Sequence, residues 1–189
     1  MKKVLLKNIY KFDETSQEYV IDISLDSYQE LFNDWDASPT WKKDLNPELA
    51  TYLESSSYEI PKKNNIRVDL FLTSNMKKQE NEEKALRGIN NYFKSVLYFT
   101  KIELNYNFRK ILAFIILGFT FITTAYFVQN QTSLSFGFDV LIEGIFIGGW
   151  VLLWEAFSLF FFSMHALRKR KRMYLRFLNS KIQFNYKDK

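Results

Sequence analysis

Two carboxylates stand where carboxylates are costly. In IEGIFIGGWVLLWEAFSLFFF, residues 142–162, Glu143 and Glu155 interrupt an apolar run long enough to cross a bilayer. An acid at that depth either lines an ion or proton path, or is a neutralised or paired group that fixes helix register. Two helices cannot enclose a pore, so a path needs several copies around one axis. At about 100° per residue, Gly144, Val151, Glu155 and Phe162 share one stripe, with Gly148 beside it. Gly144 and Gly148 form a small-xxx-small pair that admits another helix backbone. Glu155 is therefore expected to point into a helix–helix contact. A loop centred near residue 134 sets it level with about Ala113, one turn from Arg109 and Lys110, whose long stems reach inward. The expectation is a Glu155–Lys110 or Glu155–Arg109 ion pair at the inner boundary, with Glu143 level with Thr123, Thr124 and Ala125 near the outer one. Trp150 and Trp154 lie nearer the middle of the run than interfacial tryptophans do, and read as packed against another helix.

Other reactive constellations are thin. Asp22, Asp26, Glu30, Asp34 and Asp36 are dense enough to suggest Mg²⁺ held for phosphoryl chemistry, but their spacing matches no ligand loop. Helix capping accounts for Asp26, and a solvated face accounts for the others. His165 is the sole histidine and lacks clustered partners, so it reads as interfacial. The absence of cysteine removes disulfides and thiolate chemistry. Six scattered glycines form no phosphate loop. No catalytic residue, metal-ligand set or cofactor is expected, and a non-enzymatic role follows.

The elements that must position these residues are legible from hydropathy and charge. Two stretches suffice to span a membrane, 111–128 and 140–162, joined by an external loop, 129–139, that has no Lys or Arg. Residues 1–110 are charge-neutral, with 17 Lys/Arg against 17 Asp/Glu. Residues 163–189 hold nine Lys/Arg against one acid, so the net charge of +5 belongs to the tail. Arg109 and Lys110 on one flank, and Arg168, Lys169, Arg170, Lys171 and Arg172 on the other, place both termini in the cytoplasm of a multi-pass cell (inner) membrane protein. The basic run is explained as a topology signal and also suits anionic lipid headgroups. Clustering directly after an apolar segment argues against nucleic acid, which calls for a basic folded face. Val4, Leu5 and Leu6 are too few for a signal-peptide core, so the first 110 residues are expected to stay in the cytosol.

Before the first span, residues 1–75 read as a cytoplasmic α+β domain. EYVIDISL, 18–25, and IRVDLFL, 66–72, alternate as half-buried strands, and VLLKNIYKF, 4–12, is expected to form a hairpin with the former. IQFNY, 182–186, is a further strand candidate. Asp26 with Gln29 suggests a capping box for a helix over 27–32, and Asn46-Pro47 an N-cap and N1 pair for a helix over 47–55. The result is a small antiparallel or mixed sheet with short helices. Residues 76–110 form an amphipathic juxtamembrane helix: Leu86, Ile89, Phe93, Val96, Thr100, Leu104 and Phe108 recur at spacings of three and four and run into the first span. Residues 163–189 form a basic helix and the candidate strand, with Leu167, Tyr174, Phe177 and Leu178 on one face. These cytosolic helical extensions of a two-helix transmembrane hairpin are expected to pack together as a stalk carrying the sheet.

In order, LDSYQELFNDWD, NPELATYLES and IEGIFIGGWVLLWEAFSLFFF resemble a group of small uncharacterised prokaryotic membrane proteins with two transmembrane helices. The likeness covers most of the chain and implies a bacterial or archaeal cell membrane; it transfers no catalytic or binding residue. The expected role is partner binding or assembly by the cytoplasmic domain, with a protein partner there or a homo-oligomer formed through the Gly144/Gly148 face. The alternatives are an oligomeric channel or membrane-disrupting effector lined by Glu143 and Glu155, and a membrane-bound enzyme using the acids between Asp22 and Asp36.

Overall fold

The computed structural model describes residue 6, residues 9–131 and residues 136–188, leaving out the side chains of Gln131 and Phe136. The chain divides into two compact units, Met1–Tyr98 with Lys171–Lys189, and Phe99–Arg170.

The first unit holds a mixed four-stranded sheet ordered β1 (Lys11–Asp13), β2 (Glu18–Ser24), β3 (Asn65–Thr73) and β4 (Lys181–Lys187). β1 is antiparallel to β2, while β2, β3 and β4 run parallel. Alternation of side chains sets one face: Tyr19, Ile21 and Ile23 of β2 join Ile66, Val68, Leu70 and Leu72 of β3 in the buried core. On the other face Arg67 Nη1 meets Asp13 Oδ2 at 2.8 Å and Arg67 Nε meets buried Asp69 at 3.0 Å. The hairpin between β1 and β2 is present, but its first strand is shorter than the alternation of 4–12 suggests. Leu6 and Ile9 are helical, and the remainder of that segment before Ile9 lies outside the described residues. The turn is closed by Asp13, whose Oδ1 accepts from the amides of Thr15 and Ser16, with Gln17 at a φ of 56°.

Helices cover the apolar face. The expected helix over 27–32 is a single 3₁₀ turn, Tyr28–Leu31, with Ser27 rather than Asp26 at its N-cap and no side-chain cap bond there; Glu30 Oε2 instead accepts from the Asp26 amide at 3.0 Å. α1 (Pro47–Glu59) starts as expected, with Asn46 Oδ1 accepting from the amides of Glu48 and Leu49. α2 (Gln79–Gln131) is one continuous helix of 53 residues, in keeping with a periodicity that runs unbroken into the first span. Its first part buries Ala85, Ile89, Phe93 and Leu97 against the sheet. α4 (Met164–Leu178) contributes Met173, Tyr174 and Phe177, and Phe93 stacks on Phe177 with centroids 4.8 Å apart. Gly88 lets α2 come close: a Cβ there would stand 2.6 Å from the Thr40 carbonyl oxygen.

Two polar anchors tie the C-terminal segment into this unit. Arg176 is half buried, and among the described residues it forms no ion pair with a carboxylate. Its guanidinium donates to the carbonyls of Ser57, Ile60, Pro61 and Asn64, at 2.6–3.2 Å, closing the C-terminal end of α1. Burial pushes its pKa down. Tyr186 of β4 donates to Glu82 at 2.6 Å and lies 2.7 Å from the Tyr28 hydroxyl; burial first, and then the Glu82 bond, push its pKa up.

The second unit contains the rest of α2, then α3 (Phe136–Ser158), a π turn (Leu159–Ser163) and the start of α4. The two helices are antiparallel, as successive contacts show. Gly118 lies against Gly149, and Ile111 clusters with Ala156 and Met164. Residues 132–135 of the expected external loop lie outside the described residues.

Candidate functional site

The close approach of the two apolar helices is made by glycines other than the expected pair. A Cβ on Gly149 would stand 2.6 Å from Ile122 Cγ1 and 2.9 Å from the Gly118 carbonyl oxygen. A Cβ on Gly148 would meet the Phe121 ring at 3.7 Å, an ordinary contact, and one on Gly144 would meet nothing within 4 Å. The level of Glu155 agrees with the loop-length argument, since Ile111 beside Ala156 sets it opposite Leu112. Its direction does not. Glu155 is exposed, turned about 120° from Gly149, and among the described residues it makes no ion pair with Arg109 or Lys110. The Lys110 ammonium lies over the Phe114 ring, 5.4 Å from its centroid. The stripe of Gly144, Val151, Glu155 and Phe162 is turned away from the α2 contact, while Gly148, beside it, stays near Phe121 of α2. Periodicity reports which residues share a face; the partner of that face is a packing outcome.

Glu143 is exposed and lines a cavity of about 350 Å³ with Asp139, Gln129, Ala125, Ile142 and Phe146. It lies twelve residues from Glu155, on a different side of α3. Trp150 and Trp154 are exposed rather than packed within the chain, Trp154 to 76%. Both helices are long and apolar enough to cross a membrane, and only 17% and 11% of their most apolar stretches are buried. A soluble core helix would be mostly covered, and apolar patches of this extent are rare on soluble monomers. In the basic run, Arg168, Lys169, Arg170 and Arg172 are exposed and Lys171 is half-buried; Arg168 also sits over the Phe160 ring. His165 is exposed at the start of α4.

The acids of 22–36 do not converge. Asp36 caps its own loop, accepting from the amides of Ser38 and Asp44, and these bonds hold its pKa at about 2. Asp22 and Asp26 border a cavity of about 350 Å³ with Ser24, Thr73 and Lys187, at the carboxyl ends of the parallel strands. Asp34 borders another, of about 400 Å³, with Tyr28, Gln29, Thr40, Lys43, Asn81 and Lys84. Among the described residues no three acidic or histidine side chains stand close enough together to hold a metal ion.

The stretch NDWDASPTWKKD reads in sequence as a polar turn region displaying Trp35 and Trp41, and the structure closes residues 33–45 into a loop. Phe32 bridges Leu45 at its base, and the Asn33 amide donates to the Asp44 carbonyl at 2.9 Å. Asn33 Oδ1 accepts from the Trp35 amide, and Asn91 Nδ2 on α2 donates to the Trp41 carbonyl at 2.7 Å. So fixed, the loop presents Trp35 with 95% of its surface exposed, beside half-exposed Trp41. A solvent-facing tryptophan on a hydrogen-bonded loop is the residue type of an interaction anchor. The signal available in sequence is the density of Asn, Asp and Pro around the two tryptophans.

Comparison with known proteins gives no relative to reason from: no family model, no curated protein and no solved structure matches this chain.

Proposed function

We propose that this chain is a non-enzymatic integral membrane protein whose α+β unit binds a protein partner on the cytoplasmic side. The observation that carries the membrane reading is the largely uncovered apolar surface of the helix pair. Lipid is the solvent for such a surface, because the backbone of each helix is satisfied internally and the side chains need no water. Orientation rests on charge. Residues 129–139 carry no Lys or Arg, whereas Arg109, Lys110 and Arg168 to Arg172 flank the far ends, which favours both termini inside and the basic run on anionic headgroups. The binding role rests on the 33–45 loop and Trp35.

The conduit reading uses Glu143 and Glu155, which are indeed exposed. They sit on different sides of α3, so one channel wall recruits one of them and not both. Ion flux from liposomes loaded with the full chain tests it, and absence of flux retires it.

Because the chain has no cysteine, single cysteines report topology without background. Those placed at Gln17 and Asp188 are expected to label only after the membrane is permeabilised, and one at Gly137 to label in intact cells. Labelling of the two ends from opposite faces, or a chain that stays dispersed without detergent, overturns the membrane reading. For the binding role, Trp35→Ala in the detergent-purified full chain is expected to abolish capture of a specific host protein at unchanged Tm; unchanged capture excludes the loop as the anchor.

A further inference from the structure

The side of the helix pair that bears Glu155 is open, and charge indicates what covers it. A Cβ on Gly148 of α3 would stand 3.7 Å from the Phe121 ring of α2, so both residues belong to that side. Lys110 precedes Phe121 by eleven residues and Glu155 follows Gly148 by seven, close to three and two whole helical turns. Lys110 and Glu155 therefore lie on one side of the pair, yet they are unpaired: Lys110 rests on Phe114, and Glu155 has no ion pair among the described residues. A lone carboxylate on a lipid-facing side is expensive, and so is a lone ammonium.

We propose that a second copy of this chain covers this side, with Glu155 of each copy paired to Lys110 of the other. The inference rests on the membrane reading above and names the partner of the helix pair. A twofold axis along the membrane normal keeps every residue at its own depth. Glu155, level with Leu112, then meets a Lys110 displaced by two residues, about 3 Å along the axis, which a lysine stem spans. The same axis sets α3 of one copy opposite α2 of the other, so an isologous contact makes the ion pair twice. Gly144, where a Cβ would meet nothing within 4 Å, and Gly148, where one would meet only the Phe121 ring, place no side chain in the way of the approaching backbone. The intramembrane glutamate is thus a specificity device between copies, rather than within one.

The experiment uses the full chain in detergent, with mass read by light scattering over a range of protein-to-detergent ratios. Wild type is expected to be a dimer. Lys110→Glu and Glu155→Lys are each expected to weaken it by about tenfold or more, the scale of a polar contact between membrane helices. The chain carrying both changes is expected to recover the dimer. Singles that leave the mass unchanged, or a well-folded double variant that stays monomeric, overturn the proposal. A second measurement does not depend on those variants folding equally well. Differently tagged chains bearing Glu155→Cys and Lys110→Cys are co-expressed and oxidised in the membrane, and a disulfide joining the two tags is expected. A membrane-integrated chain that yields none sinks the dimer alone, whereas a chain found dispersed in buffer sinks the membrane reading and the dimer together.

Discussion

Arg176 shows how much one side chain can hold. Its guanidinium gathers four carbonyls from the end of α1 and the segment after it, linking residues more than a hundred positions apart. Replacing it by Met leaves those carbonyls to water and removes charge-assisted bonds, with an expected loss of roughly 2–4 kcal/mol. Chemical unfolding in detergent followed by far-UV circular dichroism checks this, and an unchanged midpoint would refute the anchor. Asp13 makes a pH prediction. The Arg67 guanidinium first, and then the Ser16 and Thr15 amides, lower its pKa from 3.8 to about 2. A carboxylate whose folded pKa is depressed stabilises the fold above its unfolded pKa, and that contribution fades as pH falls. Melting temperature should therefore drop between about pH 4 and pH 2, and Asp13→Asn should flatten this acid limb. Neither interaction has a local signature. Arg176 reads as one more base in a basic helix, and Asp13 as a turn acid; the Thr15 and Ser16 amides are local to Asp13, but only the fold brings Arg67 to it and the four carbonyls to Arg176.

At the scale of elements, the helix pair separates what periodicity can and cannot say. Its length, antiparallel register and the level of Glu155 all follow from hydropathy and loop length. Its rotation does not, because α3 is apolar nearly all round and offers no polar face to exclude. Gly149 and Gly118 decide the rotation, by admitting the closest backbone approach. Gly149→Leu is expected to pry the pair apart, costing about 1–3 kcal/mol as an overpacked contact. Gly144→Ala, with open space around its Cβ position, should leave the packing within one chain unchanged. Thermal unfolding of the two variants side by side in detergent makes the comparison, and equal losses would contradict this packing. The sheet shows the same division. Alternation in 18–25, 66–72 and 182–186 reveals three strands, whereas the parallel pairing of β2, β3 and β4 depends on the helices that connect them.

For the whole molecule, the order of chain segments carries a consequence. Residues 99–170 are inserted between β3 and β4, so the first unit is completed by sequence that follows both apolar helices. Phe177, almost fully buried, and β4 belong to the core of residues 1–98. The 1–75 segment, which composition presents as a domain, is therefore only part of one. A chain ending at Tyr98 lacks an edge strand, the Phe177 ring and the Arg176 anchor. It is expected to show no cooperative thermal transition, while addition of a peptide covering residues 171–189 restores some helical signal. A sharp transition for residues 1–98 alone would show the C-terminal segment to be dispensable.

The sequence by itself determined the quantities that local composition controls: two apolar stretches of spanning length, the basic residues flanking them, the alternation of three strands and the Asn46 cap of α1. Each depends on residues within a few turns of one another. The tertiary structure decided everything that depends on which surfaces meet: strand order, the carbonyl cage around Arg176, the closed loop that displays Trp35, and the outward turn of Glu155. Those outcomes are set by close packing between segments distant in sequence, where a single Cβ at Gly149 or Gly88 would be enough to forbid the contact, and no periodic signal encodes them.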